Sequence, residues 1–321
     1  MRAADLVGGR AGGYCQVEEG TAVILVTGAA GFIGRHLVAA LNSSPLYVPS
    51  YAIDIAPLAS VPCKGSVTDI TDDAAMAALV PELQGRVTAC VHLAAVASPP
   101  IAAKDPATAW ATNVHGTHNV LQLCHRIGCK RVVFFSSAHV YGISPRYFPT
   151  DENHPLALLD TYTTTKIMGE QLCDQFYRYH GLSYAVLRLW NAYGPGQNKD
   201  YFIGAKLRQA GEGKLTLRNG SVTKDWVSVH DVVRATIAAL SSGYVGPLNV
   251  GTGIETSLET IVTRLSEHFG IPVELENVAN DGPTRMRCDW SRIQRTLGWE
   301  PTVSFADGLA ELIGEERKGA A

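Results

Sequence analysis

An α/β architecture with a doubly wound parallel sheet is predicted by three observations. Short apolar runs alternate with stretches of helical periodicity along most of the chain. The first run ends in a turn punctuated by glycines that leads directly into a helix. After Asn191 the alternation breaks into loops, glycines and isolated helices, which predicts a smaller C-terminal domain beside the sheet.

The elements follow in order. Candidate strands are 22–27, 47–54, 88–93, 131–136, 184–190 and 246–251, each a run of aliphatic and β-branched residues suited to a sheet buried on both faces. Candidate helices lie near 32–42, 73–80, 107–127, 160–180 and 230–241. Residues 1–20 are Gly-rich and read as a disordered extension without the apolar core of a signal peptide. Residues 21–190, rejoined by 227–251, form a nucleotide-binding domain. Residues 191–226 and 252–316 form a substrate domain over the carboxyl ends of the strands, where open α/β sheets bind ligands.

Composition narrows the class. The chain has 321 residues, 46% hydrophobic and 18% charged, enough for a substantial core. A net charge of −3 without a basic run argues against a nucleic-acid partner. The apolar stretches are strand-length, too short to span a membrane. Seven scattered cysteines, odd in number and without a C-x-x-C pair, read as reduced thiols of a cytoplasmic protein with no metal site.

Two constellations carry chemistry. Gly28, Gly31 and Gly34 let the backbone approach a pyrophosphate, and the helix that starts near Phe32 offers free N–H groups and a positive dipole end. Asp54, at the end of the second run, lies where a carboxylate accepts both ribose hydroxyls of NAD and repels the extra phosphate of NADP. Tyr162 and Lys166 stand four apart on a helix, on one face. A phenol titrates near pH ~10, and lowering it to about 7 needs roughly 4 kcal/mol. An ammonium about 5 Å away supplies ~3 kcal/mol at an effective dielectric of 20, and a cationic nicotinamide nearby would supply the rest. Such a Tyr can exchange a proton with a sugar or alcohol hydroxyl while hydride leaves the same carbon.

Thr27-Gly28-Ala29-Ala30-Gly31-Phe32-Ile33-Gly34 resembles the extended short-chain dehydrogenase/reductase family, the group of nucleotide-sugar epimerases and dehydratases. Val91–Ala95, Thr112–Thr117, Phe135–Gly142, Leu187–Gly196, Lys224–Asp231 and Asn249–Gly253 resemble the family's later segments in order, and the likeness spans roughly 22–313. The resemblance implies a Rossmann-type doubly wound parallel sheet with a smaller C-terminal substrate domain. It implies NAD held by Gly28, Gly31, Phe32, Ile33, Gly34, Asp54, Val67, Leu93, Ala94, Ala95, Asn113, Tyr162 and Lys166. It also implies catalysis by Ser137, Tyr162 and Lys166 and a homodimer paired through the helices at 107–127 and 160–180. Ser137, His139, Asn191, Lys224 and Arg285 are the implied substrate residues, with Arg287 an alternative to Arg285 for a nucleotide diphosphate.

Five positions depart from the family pattern. Lys224 stands where an Arg usually precedes the Asp-aromatic-Val run, a point charge in place of a fork. Ala138-His139 replaces the acidic pair with which 4,6-dehydratases eliminate water. Ser66 occupies a position where many relatives carry an Asp against adenine, and Trp190 is bulkier than the usual Phe or Tyr. The expected activity is therefore a nucleotide-sugar 4-epimerase that oxidises the sugar transiently at carbon 4. The alternatives are a dehydrogenase or reductase of a sugar with net redox change, and a non-catalytic NAD(H)-sensing protein on the same fold.

Overall fold

The computed structural model describes residues 22–43, 48–276 and 284–319. The extension expected at 1–20 lies outside the described residues. Six strands come first: β1 (Val23–Thr27), β2 (Ser50–Asp54), β3 (Lys64–Val67), β4 (Val87–His92), β5 (Arg131–Ser137) and β6 (Ser183–Leu189). Three short strands follow, β7 (Asn191–Tyr193), β8 (Leu215–Arg218) and β9 (Thr223–Ser228), then β10 (Gly246–Val250), β11 (Glu255–Ser257) and β12 (Val273–Glu276). The large sheet runs β3-β2-β1-β4-β5-β6-β10, with every neighbouring pair parallel. The chain winds outward from β1 in both directions, so β1 and β4 flank the crevice at which the strand order reverses.

Six of the seven strands match the apolar runs, because a strand covered on both faces has no room for polar side chains. On one face Leu25, Cys90, Val132 and Phe134 pack against Cys124, Cys173 and Phe176. On the other, Val26, Val91, Val133 and Leu187 pack against Leu37, Val38, Val232 and Ile293. β3 was not expected. Its sequence Lys64-Gly65-Ser66-Val67 is largely exposed, since an edge strand can pair through backbone alone.

The helix expected at 107–127 is three pieces in one rod. An α-turn at Pro106–Trp110 leads into a π-helical stretch, Ala111–Gly116, and then an α-helix, Thr117–Arg126. Helix Thr161–His180 is capped by the Asp160 side chain, which accepts from the Thr163 N–H, and ends at Gly181 in the left-handed conformation.

β7, β9 and β11 form a second sheet, and β8 pairs with β12. Around them lies a separate core of Ile203, Leu207, Leu215, Ile261, Leu265, Leu309 and Leu312. Its helix Leu258–Phe269 buries Leu258, Ile261, Val262 and Leu265, an i, i+3, i+4, i+7 face. Ile293 and Trp299, far along the chain, return to the core of the large sheet.

A buried polar cluster locks helix Thr161–His180 to the sheet. Arg188 of β6 donates to both carboxylate oxygens of Glu170, at 3.1 and 2.7 Å, and Ser136 of β5 donates to Glu170 at 2.5 Å. Arg188 also donates to the Tyr141 hydroxyl, which donates to Asn249 Oδ1. The Asn249 backbone N–H donates to Glu152, whose burial pushes its carboxyl up. Removing one partner strands the other in a dry site. Arg188→Met should lower stability by about 3–5 kcal/mol in chemical denaturation, and Arg188→Met with Glu170→Leu should recover much of that loss. A single-variant loss well below ~1 kcal/mol would show that water reaches the pair.

Candidate functional site

The expected site residues converge at the carboxyl ends of β1, β2, β4 and β5. Gly28 leaves β1 at φ 70°, and a Cβ there would lie 2.6 Å from the Ala94 amide nitrogen. A Cβ on Gly34 would lie 2.2 Å from the Gly28 carbonyl. These two glycines are therefore required by the protein's own packing. Gly31 differs: it is exposed, and a Cβ there would meet only the Gly28 carbonyl, at 3.1 Å. Its bare backbone faces outward, beside the first-turn amides of Phe32, Ile33 and Gly34. None of those three amides has an acceptor among the described residues.

Asp54 closes this cradle. Its Oδ2 accepts from the Ala30 N–H at 2.9 Å and its Oδ1 from the Ala56 N–H at 2.9 Å. Each oxygen keeps a second lone pair for a diol. Ile55, 72% exposed, and Val67, 60% exposed, stand beside it as bare apolar surface. Ile55 was not anticipated from sequence, although it directly follows Asp54. Free helix-terminal amides, an uncovered glycine, a carboxylate with spare acceptors and an apolar flank together fit the pyrophosphate, ribose and adenine of a dinucleotide.

The floor of the crevice is a directional hydrogen-bond chain that the sequence did not disclose. The Thr117 hydroxyl donates to the Asn113 carbonyl at 2.7 Å, so it accepts from His92 Nε2–H at 2.9 Å. Nδ1 of His92 is then the acceptor for the Thr27 hydroxyl at 2.7 Å, and Thr27 Oγ1 accepts the Ala94 N–H at 3.3 Å. Burial, helped by the Lys166 charge, pushes the His92 imidazolium down to about 3, so the ring is neutral. Asn113, expected at the cofactor, is a positioning residue. Its side chain pairs with both backbone groups of Val96, at 2.8 and 3.1 Å, and donates to Thr165 Oγ1 at 3.0 Å. It thereby ties the loop through Leu93, Ala94 and Ala95 to the helix of Tyr162.

Ser137, Tyr162 and Lys166 come together. Ser137 ends β5, and its Oγ accepts the His139 N–H at 3.2 Å. Lys166 donates to the Phe135 carbonyl at 2.9 Å, and its Nζ stands 6.0 Å from the centre of the Tyr162 ring. Both side chains thus register against the same strand. Burial pushes the Tyr162 phenol up to about 12, opposed by the Ser137 hydrogen bond and reinforced by Tyr201 and Asp160. Burial pushes the Lys166 ammonium down to about 8, opposed by Glu170. Among the chain's own groups burial is the largest effect on the phenol and raises it; the expected lowering called on a cationic nicotinamide as well as the lysine. Tyr201, unforeseen, reaches over from the second domain to donate to the Ala97 carbonyl at 3.3 Å.

The expected substrate residues divide. His139 lies edge-on to Tyr162, ring centres 6.1 Å apart. Asn191 donates to the Asp225 carbonyl at 3.0 Å, and its own side-chain oxygen has no donor among the described residues. Lys224 is partly exposed on β9, and desolvation pushes its ammonium down. Arg285 is taken by Glu255 in a two-pronged pair at 2.7 and 2.7 Å, half-exposed and stacked on Phe148. Arg287 donates to the Gly253 carbonyl at 3.0 Å. The expected clamp at Arg285 is thus an arginine already paired within the protein.

Residues 24–251 match the model of the NAD dependent epimerase/dehydratase family. The chain belongs to this family. It is 32% identical over 310 residues to a UDP-glucose 4-epimerase of Mycolicibacterium smegmatis, covering 90% of this chain and 96% of that protein. It is 30% identical over 299 residues to UDP-glucuronic acid decarboxylase 6 of Arabidopsis thaliana, covering 89% and 86%. The fold superposes on the crystal structure of a UDP-glucose 4-epimerase with UDP-glucose from Thermotoga maritima with a TM-score of 0.87 at 29% identity, over 93% and 99% of the two chains. The cofactor is NAD, as in the family and in solved neighbours.

Two outcomes follow from this geometry. Asp54→Ala should weaken NAD binding and relax discrimination against NADP, measured by titration of both. Equal wild-type affinity for the two would remove the role given to Asp54. His92 takes up its proton only on unfolding, so it favours the folded state above about pH 6.5. That contribution should fade as pH falls toward about 3, by up to ~1.4 kcal/mol per unit. The acid limb of the stability profile should be shallower in His92→Gln than in the wild type.

Proposed function

We propose that the protein is an NAD-dependent nucleotide-sugar 4-epimerase. The observation that carries this reading is the character of the groups around Tyr162. Ala138 is buried and apolar, and His139 is driven toward its neutral form by burial and by the Lys224 charge. The carboxylate acting on the phenol, Asp160, caps its own helix. The site therefore offers a proton carrier at one carbon and, among the described residues around Tyr162, no carboxylic acid poised to expel water from the next.

In this reading Ser137 fixes the reacting hydroxyl and Tyr162 takes its proton. Deprotonating the phenol near pH 7, starting from about 12, calls for roughly 7 kcal/mol. Lys166 supplies part of that through its charge. NAD held in this crevice would supply a hydride acceptor and a positive charge. Tyr162 would return the proton to the same oxygen as the sugar is reduced again, leaving no net redox change.

Tyr162→Phe should keep fold and cofactor while turnover falls by about 10²–10⁴. Retention of most activity would make the tyrosine structural. The reaction itself is tested by incubating the purified protein with UDP-, dTDP-, GDP- and CDP-sugars without added cofactor. A 4-epimer with no lasting change at 340 nm is expected. Accumulating NADH, released carbon dioxide or loss of water from the sugar would instead assign a dehydrogenase, a decarboxylase or a dehydratase.

A further inference from the structure

The outer end of the nucleotide crevice carries a pair of hydroxyls bonded to each other. Ser66 Oγ and Thr68 Oγ1 stand 2.7 Å apart, and either can be the donor. Their place is fixed by β2. Ser66 pairs with Ile53 and Val67 with Asp54, and the Thr68 N–H donates to the Asp54 carbonyl at 2.8 Å. The pair therefore lies one strand spacing, about 4.8 Å, out from the end of β2.

The order β1-β2-β3 decides which part of the cofactor arrives there. The pyrophosphate belongs to the helix amides after β1, and the ribose diol to Asp54 at the end of β2. A ribose carries its phosphate and its base at opposite ends, with the diol between them. The base would thus continue outward over β3. Ile55 and Val67 offer it bare apolar surface, and the Ser66 and Thr68 hydroxyls offer polar atoms for its edge. Asp69, the next carboxylate along the chain, is folded back onto the Thr71 N–H and hydroxyl, both at 2.8 Å.

A hydroxyl pair differs in kind from a carboxylate. A carboxylate only accepts, so it selects the amino group of adenine and rejects the carbonyl that hypoxanthine carries at the same position. Two hydroxyls can reverse their polarity by rotation. When Ser66 donates to Thr68 it accepts from a ligand, and when it accepts from Thr68 it donates outward. Ser66 is half-buried and within a ligand's reach, whereas Thr68 is 7% exposed and acts through it.

We propose that Ser66 and Thr68 make the base end of the cofactor site indifferent to the polarity of the purine edge, so that the chain binds nicotinamide hypoxanthine dinucleotide as well as NAD.

Displacement of radiolabelled NAD from the full chain by unlabelled NAD and by nicotinamide hypoxanthine dinucleotide tests this without turnover. In the wild type the two should compete within about fivefold of each other. Ser66→Asp should move the ratio at least about tenfold toward NAD, because an acceptor would then face an acceptor. Asp54→Ala should weaken both alike, since it acts on the ribose they share. A wild-type preference for NAD beyond about fivefold overturns the proposal. So does a ratio that Ser66→Asp leaves unchanged, which would put the hydroxyls away from the base. Should that variant fail to fold, the wild-type ratio decides alone.

Discussion

The geometry of the site depends on one buried ion pair. Glu170 lies one turn beyond Lys166 on the same helix, and Arg188 reaches it from β6 with two hydrogen bonds. Ser136, immediately before Ser137, is bonded to the same carboxylate. The strand that carries the serine and the helix that carries the tyrosine and lysine are thus indexed to a single group. A carboxylate and a guanidinium demand matched directions, where apolar packing would tolerate a slide. The cost of burying the pair is offset by a shell of further donors and acceptors, from Tyr141 through Asn249 to Glu152.

That lock explains why Tyr162 and Lys166 can both be deeply buried. Desolvation drives each toward its neutral form, the phenol upward and the ammonium downward. The groups of the chain alone hold the phenol protonated. The proposed base role of Tyr162 would call on further positive charge beside it, which NAD bound in this crevice would bring.

Much of this was legible in the sequence. Buried strands must be apolar throughout, so β1, β4 and β5 declare themselves. The glycine turn and the Tyr–Lys spacing state their chemistry through residue type. β3 was illegible because an exposed edge strand needs only backbone pairing. The helix Leu258–Phe269 was not among the expected helices, although its apolar spacing is regular, because the loops around it obscured it. Among site residues, the His92 chain, Ile55 and Tyr201 were missed, since each acts through a partner far away in sequence. Arg285 shows the converse: the residue type suited a phosphate, but Glu255, 30 positions earlier, had already claimed it.

The π-helical stretch at Ala111–Gly116 has a genetic consequence. A π turn carries one residue more than an α turn, so it behaves as a single insertion retained in an otherwise regular rod. Each α-helical residue advances the helix by about 100°. Deleting one residue here would restore regular winding and at the same time turn everything upstream, including the face of Trp110, by more than a quarter of a circle relative to Thr117. Point substitutions within the stretch leave this phase untouched. The segment is therefore closed to changes of length as well as to loss of the Asn113 side chain, and a one-codon deletion would be felt at Asn113 and along the whole preceding surface together.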